Sequence, residues 1–253
     1  MSEGGGGISE GRGGISRATG RDMTAKAEAV RSMFTRIAAR YDLMNTLMTG
    51  GRHHAWRRRL APLAAAAPPG PALDLATGTA DLALALRALD PARFVVGGDF
   101  ADGMLREARL KLGARGAPRV GLVACDALAL PFPSRSFACV MSAFLLRNLE
   151  DLPAGLREMR RVTMPGGRVL ALDIVRPDVP VWGPLFSLYF GRLVPAIGAL
   201  VAGDRQAYTY LPQSVDRFVT PAELARLMET AGLRDVRWRR LGLGTIALHW
   251  GVV

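Results

Sequence analysis

The sequence predicts an α/β fold: a doubly wound, mostly parallel seven-stranded sheet with an antiparallel hairpin at its C-terminal edge. Three observations carry this expectation. Short apolar runs alternate with helical patterns through the middle of the chain, which is the mark of βαβ units. Acids and small residues gather where those runs end. The chain closes on two strand-like runs joined by a Gly-rich turn, a pair that folds back antiparallel.

Taken in order, residues 1–22 (MSEGGGGISEGRGGISRATGRD) are Gly- and Ser-rich without periodicity, and are expected to be a disordered tail. The folded domain is expected over 23–253. From Thr24, Val30, Phe34, Ile37, Tyr41 and Met44 recur at steps of three and four, predicting one amphipathic helix that the glycines at 50–51 end. HHAWRRRLAPLAAAA reads as a second helix stopped by Pro68 and Pro69, completing N-terminal helices over 24–67. Strand ALDLA, helix 80–89, strand RFVVGGD, helix 102–112 and strand RVGLVAC follow. Next come strand FACVMSAF, helix 151–163, the turn MPGG and strand RVLALDIV. The end reads as helix 221–231, strand 234–240, the turn GLG and strand TIALHWGVV. Between these parts, 179–202 is the most apolar stretch, in a segment (179–215) expected to be a cap or lid. It is long enough to span a bilayer, but Pro184, Pro195, Arg192 and several glycines interrupt it, so it reads as one or two helices of a greasy wall.

Apolar residues make up 49%, enough for a large core. The net charge of +11 is almost all Arg, spread along the chain rather than packed into one block. Nucleic acid is therefore not an expected partner, whereas a weak attraction to anionic lipid head groups is. Cys125 and Cys139 fall on separate predicted strands without metal-ligand spacing. They read as buried thiols in a reducing compartment, and no metal site is expected. The N-terminus carries no apolar core of signal-peptide type, so the expected location is cytoplasmic.

In an open parallel sheet, ligands bind beyond the carboxyl ends of the strands. Four stretches would meet there. In ALDLATGTAD, Asp74 lies in the strand, Gly78 lets backbone approach a ligand, and Thr79 offers a hydroxyl near a helix start. Asp99 ends VVGGD, where an acid can accept hydrogen bonds from two ribose hydroxyls. Asp126 and Ala127 follow the third strand, and the acid could accept from an adenine amino group. Ser142 and Ala143 end the fourth strand, facing the reacting end of a ligand. A dinucleotide turn would want G-x-G-x-x-G, and ATGTAD holds a single Gly; no P-loop motif is present. An adenosyl ligand without pyrophosphate, S-adenosyl-L-methionine, needs less glycine. Its sulfonium and ammonium groups favour nearby acids. The plain alternative is that Asp74 and Asp81 cap a turn or helix.

From about residue 28 onward the chain resembles the UbiE/MenG family, the C-methyltransferases of menaquinone and ubiquinone biosynthesis. The resemblance rests on MFTRIAARYDLMNTLMTGGRHHAWRRR, LDLATGTADL, ALPFPSRSF, LLRNLED, MPGGRVLALD, YTYLPQSV and ALHWG. It implies a Rossmann-like class I methyltransferase fold, S-adenosylmethionine as methyl donor and a polyprenyl quinol as acceptor, demethylmenaquinol ahead of a benzoquinol. It also implies cofactor contacts for Thr79, Asp99, Asp126 and Ala127. The chain departs from the family at Asp126, where Asn is common, and at Ala80 and Leu145, which replace glycines. Ala143 stands where the family has serine, with Ser142 the nearest hydroxyl.

Methylating a quinol ring carbon needs alignment and a base or charge for the neighbouring phenolate. Arg147 could hold the phenolate and Asn148 orient an oxygen. Tyr41, with Asp42, could cover the cofactor, and His53 could serve as base; His249, within a strand, reads as core. The apolar 179–202 segment and the Arg-rich second helix suit a lipid tail and an anionic membrane surface, placing the protein at the inner face of the cell membrane. A homodimer is compatible with the sequence. Competing readings are a methyltransferase for another small apolar acceptor, and a non-catalytic quinone- or lipid-binding relative.

Overall fold

The computed structural model describes residues 25–175 and 205–253, so the expectations for the 1–22 tail and for most of the 179–215 segment lie outside the described residues. Seven strands form one sheet: β1 (Ala72–Leu75), β2 (Val95–Asp99), β3 (Val120–Ala124), β4 (Phe137–Ala143), β5 (Thr163–Ile174), β6 (Arg234–Leu241) and β7 (Ile246–Val252). Their order is β3-β2-β1-β4-β5-β7-β6. The first five run parallel, and β7 pairs antiparallel with both β5 and β6. The chain winds outward from β1 to β3 and then restarts at β4 on the other side. The switch point therefore lies between β1 and β4, where a ligand crevice is expected.

Around the sheet pack α1 (Ala25–Ile37), α2 (Tyr41–Thr49), α3 (Arg52–Ala65), α4 (Asp81–Leu89), α5 (Asp102–Ala114), α6 (Leu152–Val162), α7 (Arg205–Asp216) and α8 (Pro221–Thr230). Alternate strand residues feed two cores. Leu73, Leu75 and Val140 face α6 and α8, while Ala72, Cys139 and Met141 face α3, α4 and α5. Helix ends follow local chemistry. The Asp151 side chain caps α6 by accepting from Ala154 N–H, and Thr220 with Glu223 forms a full capping box on α8. Both cysteines are buried free thiols, and burial pushes each up to about 12.

Two expectations are corrected. The single helix from Thr24 to Gly50 is broken by a 3-10 turn at Ala38–Arg40. The break lets α1 lie on α5 while α2 swings Tyr41 and Met44 over the strand ends. A side chain at Gly103 would put its Cβ 2.6 Å from the Thr35 carbonyl oxygen, so α1 and the start of α5 meet backbone to backbone. The turn MPGG is not a separate connection. It is absorbed into β5 as an irregularity: Phe137 pairs with Thr163, but Cys139 pairs with Arg168, and Gly166 takes φ +74°. The edge hairpin forms as expected, its turn a 3-10 segment at Gly242–Gly244.

Candidate active site

The strand ends at the switch point are shaped by left-handed backbone. Ala76 after β1 has φ +54°, Gly78 φ +56°, Ala80 φ +68°, and Phe144 after β4 φ +68°. Such values strain a non-Gly residue and persist only where the surroundings fix them. Here they open a cleft of about 960 Å³ of empty space, part of it its open mouth. Its walls are Ala76 and Gly78 from the first turn, Asp99, Asp126 with Ala127, and Ala143 through Leu145; α1 supplies Lys26, Val30 and Phe34 above.

Asp99 is the best-defined group. One carboxylate oxygen accepts from Gly78 N–H (2.9 Å) and the other from Ala101 N–H (2.9 Å), leaving each a further lone pair for a ligand. Burial raises its pKa to about 6, opposed by those backbone donors. Asp126 accepts from Leu128 N–H at 2.8 Å. A Cβ at Gly78 would be 3.8 Å from its nearest neighbour, Tyr41, so a ligand can pass close to this backbone. Two acids at neighbouring strand tips, Glu150 at the wall and Lys26 at the rim fit an adenosyl ligand bearing a cation and an amino acid tail.

A second cleft, about 770 Å³ of empty space with its open mouth included, lies alongside. It is mainly apolar, with Met33, Met44, Met48, Trp56 and Ile174 in its walls, and it also holds Asn45, His53, Arg147 and Tyr210. Phe34, Tyr41, Phe144 and Asn148 line both clefts and form the wall between them. A ligand in the first space therefore reaches a ligand in the second past two rings, a phenol and an amide.

Of the expected cofactor residues, Gly78, Asp99, Asp126, Ala127 and Ala143 meet at the first cleft, whereas Asp74, Thr79 and Ser142 do not line it. Asp74 is buried beneath the turn, where it accepts from Thr77 Oγ1 (2.7 Å) and Ala83 N–H (3.0 Å). Burial pushes it up to about 7. Ser142 is buried within β4, its hydroxyl without a partner. The Thr79 hydroxyl donates to Asp42 (2.6 Å) and accepts from Lys111 Nζ (2.9 Å). Lys111 also binds Asp81 (2.8 Å) and pairs with Asp42, so this cluster ties α2 to the cofactor turn and to α5. Burial works to raise Asp81, yet Arg57 and Lys111 hold it below the ordinary carboxylate range.

The expected catalytic residues also divide. Tyr41 and Asn148 stand at the shared wall, and Arg147 and His53 in the second cleft. His53, expected as a base, is held by two neighbours. Its Nδ1 faces Arg57 Nη1, which can only donate, so the proton sits on Nε2, which donates to Thr46 Oγ1 at 3.2 Å. Burial, then Arg57, lowers its pKa to about 4. Both ring nitrogens are engaged and the ring is neutral at pH 7. His53, His54 and Asp81 offer ligand atoms within 4.8 Å of one another, but Arg57 and Lys111 already answer the charge there. Arg147 is tied by Nη1 to Asp173 (2.7 Å) and to the Phe144 carbonyl (2.8 Å). His249 is core, bonded to the Pro221 carbonyl.

Sequence reasoning missed Phe34, Phe144, Lys111, Asp173 and Asn45. One signal was present for Lys111. Lys26 and Lys111 are the only lysines in an otherwise Arg-based chain. One reaches the cleft and the other needs a compact ammonium between three oxygen-bearing side chains.

Residues 22–253 match the model of the ubiE/COQ5 methyltransferase family. The chain is 45% identical over 219 residues to a demethylmenaquinone methyltransferase of Thermus thermophilus, covering 87% of this chain and 99% of the relative. It is 40% identical to a ubiquinone/menaquinone biosynthesis C-methyltransferase UbiE of Desulfotalea psychrophila, covering 90% and 92%. Among solved structures, a SAM-dependent methyltransferase of Thermotoga maritima, described as a possible histamine N-methyltransferase, superposes with a TM-score of 0.62 at 17% identity. It covers 87% of this chain and 98% of its own. A SAM-dependent methyltransferase of Aquifex aeolicus gives 0.60 at 17%, covering 84% and 98%. At these identities the structures show the fold alone.

Proposed function

The chain belongs to the ubiE/COQ5 methyltransferase family, and from that membership we propose that it methylates a ring carbon of a polyprenyl quinol, demethylmenaquinol first. S-adenosylmethionine is the methyl donor, and it supplies an electrophilic methyl group when bound. The observation that carries the reading is the pair of clefts sharing one wall. An acidic, glycine-lined space beside Asp99 suits the donor, and an apolar space lined by methionines and Trp56 suits an aromatic acceptor. Asp99, Asp126 and the Gly78 backbone would hold the adenosyl part, and Phe34, Tyr41 and Phe144 would exclude water between the two ligands.

The test is a methyl-transfer assay offering demethylmenaquinol and a demethylated benzoquinol, each with a short tail. Methylation of the naphthoquinol, faster than of the benzoquinol, is expected. A protein that binds S-adenosylmethionine but leaves both rings unmethylated overturns the assignment.

Contact with an anionic membrane, at its cytoplasmic face, is the second part of the reading. No helix among the described residues is long and apolar enough to cross a membrane. Yet Leu43 and Leu47 are 53% and 48% exposed on α2, next to the helix face whose Met44 and Met48 line the acceptor cleft. Leu243 is 63% exposed on the turn packed beside Trp56 of the same cleft. Exposed Arg52, Arg58 and Arg59 on α3 add positive charge. Sedimentation with vesicles containing anionic lipid is expected to retain the wild type, and Leu43→Glu with Leu47→Glu to release it. Equal retention of the double variant contradicts this docking face.

A further inference from the structure

Asn45 and Asn148 both line the acceptor cleft, and each carries a buried amide atom without a hydrogen-bond partner: Nδ2 of Asn45 and Oδ1 of Asn148. A buried polar atom left unpaired costs free energy, and such atoms are rare in folded proteins. The cleft is also lined by Trp56, Thr49, His53, Arg147 and Tyr210, but none of them bonds to either atom, and Arg147 Nε is itself buried without a partner. The orientation of the Asn148 amide is fixed locally. Its Nδ2 donates to the Phe144 carbonyl at 3.1 Å, and reversing the amide would set two oxygens against each other. Its free atom is therefore an acceptor. No hydrogen bond among the described residues fixes the Asn45 amide, so it can turn its donor to a ring oxygen of either redox state.

We infer that Asn45 and Asn148 read the oxygens of the acceptor ring, and that Asn148 makes the site select the reduced, hydroxyl-bearing ring over the oxidised one. The inference rests on the proposed quinol substrate and adds its redox selection. A donor such as Asn45 Nδ2 can bond to a quinone carbonyl or a quinol hydroxyl oxygen alike. An acceptor such as Asn148 Oδ1 can be satisfied only by an O–H, which a quinone lacks. With a quinone bound, Oδ1 stays buried and unpaired; with a quinol it is answered. Sites built to hydrogen-bond a hydroxyl reject analogues lacking it for this reason. The selection suits the chemistry, because only the reduced ring carries a hydroxyl whose loss of a proton makes the neighbouring carbon nucleophilic. Asn45 binds in either case and so sets affinity, not redox preference.

The two roles separate in a binding experiment on the full chain, titrating anaerobically with a short-tailed demethylmenaquinol and with the matching quinone, and reading the quenching of tryptophan fluorescence. The wild type is expected to bind the quinol about tenfold tighter than the quinone. Asn45→Leu is expected to weaken both ligands by a similar factor, with the melting temperature unchanged or raised, because an orphaned amide is replaced by an apolar side chain of like size. Asn148→Leu is expected to weaken the quinol alone and erase the preference. Asn148→Gln, which keeps an amide donor for the Phe144 carbonyl and an amide acceptor, is expected to retain the preference and serves if the leucine variant does not fold. Equal binding of quinol and quinone by the wild type overturns the inference, as does a preference that survives Asn148→Leu. Failure of the wild type to bind either ring while it binds S-adenosylmethionine would instead sink the quinol reading itself.

Discussion

Replacing Asp99 by alanine is expected to weaken S-adenosylmethionine binding ~100-fold or more, with methyl transfer falling in step. In the proposed site Asp99 would accept from two vicinal hydroxyls, and a hydrogen bond to a charged acceptor is worth about 1.5–3 kcal/mol. The substitution also strips the acceptor from Gly78 N–H and Ala101 N–H, which shape the turn and the start of α5. Isothermal titration of the cofactor checks this; an affinity within threefold of wild type would remove Asp99 from the site. A pH dependence follows. The carboxyl of the free protein takes a proton at about pH 6, pushed up by burial. Ribose hydroxyls donate to the ionised form, so the complex prefers it, and affinity falls as pH drops below about 6, by up to tenfold per unit. Asp99→Asn should flatten that slope. The sign for folding is opposite. The folded protein holds this proton more tightly than the unfolded chain, so the contribution of Asp99 to stability declines as pH rises from about 4 to about 6. Asp74, pushed up to about 7, extends the same decline.

The sheet and the cleft at its strand ends were legible because their causes are local. A strand buried on both faces has to be short and apolar, and the residue ending it has to face whatever lies beyond the sheet. ALDLA, VVGGD and FACVMSAF carry both signals, and Asp99 and Ala143 at the ends of the last two line the first cleft, as does Asp126 after RVGLVAC. What was not legible has a different origin. The break after Ile37 leaves the helical stripe of Phe34, Tyr41 and Met44 uninterrupted in sequence, since a 3-10 turn hardly shifts the register. Only the close approach of Thr35 to Gly103, some seventy residues away, demands the bend. The partners of Thr79 illustrate the same limit. A hydroxyl near a helix start fits a ligand, but Lys111 from α5 and Asp42 from α2 converge on Thr79, and no local pattern announces either partner. His53 reads as a base on the page and is disarmed by Arg57, one helical turn later on the same face. The partners of Thr79 come from elsewhere in the fold, whereas the Arg57 partner of His53 lies four residues on in its own helix.

Arg147→Ala is expected to lower the melting temperature by roughly 10 °C, and that loss must be separated from any catalytic one. Arg147 and Asp173 form a buried pair, their side chains 7% and 1% exposed. Breaking such a pair by removing one partner costs about 3–5 kcal/mol, because the other charge stays buried and unanswered. In a chain of this size about 1 kcal/mol corresponds to roughly 2–4 °C. After the substitution Asp173 would keep only the backbone N–H groups of residues 147 and 174, and the Phe144 carbonyl would lose one of its two side-chain donors. The strained turn at Phe144, which divides the two clefts, would be the first part to loosen. Loss of activity in Arg147→Ala would then not distinguish a guanidinium acting on the acceptor from one that merely holds this turn. The double variant Arg147→Met with Asp173→Leu does distinguish them. Replacing a buried ion pair by apolar side chains of similar volume is close to neutral, so calorimetry should show most of the lost melting temperature restored. If methyl transfer stays at least ~100-fold down in that restored fold while cofactor affinity is near normal, the positive charge acts on the acceptor, as stabilisation of a developing phenolate requires. Recovery of turnover along with stability would assign Arg147 to the turn alone.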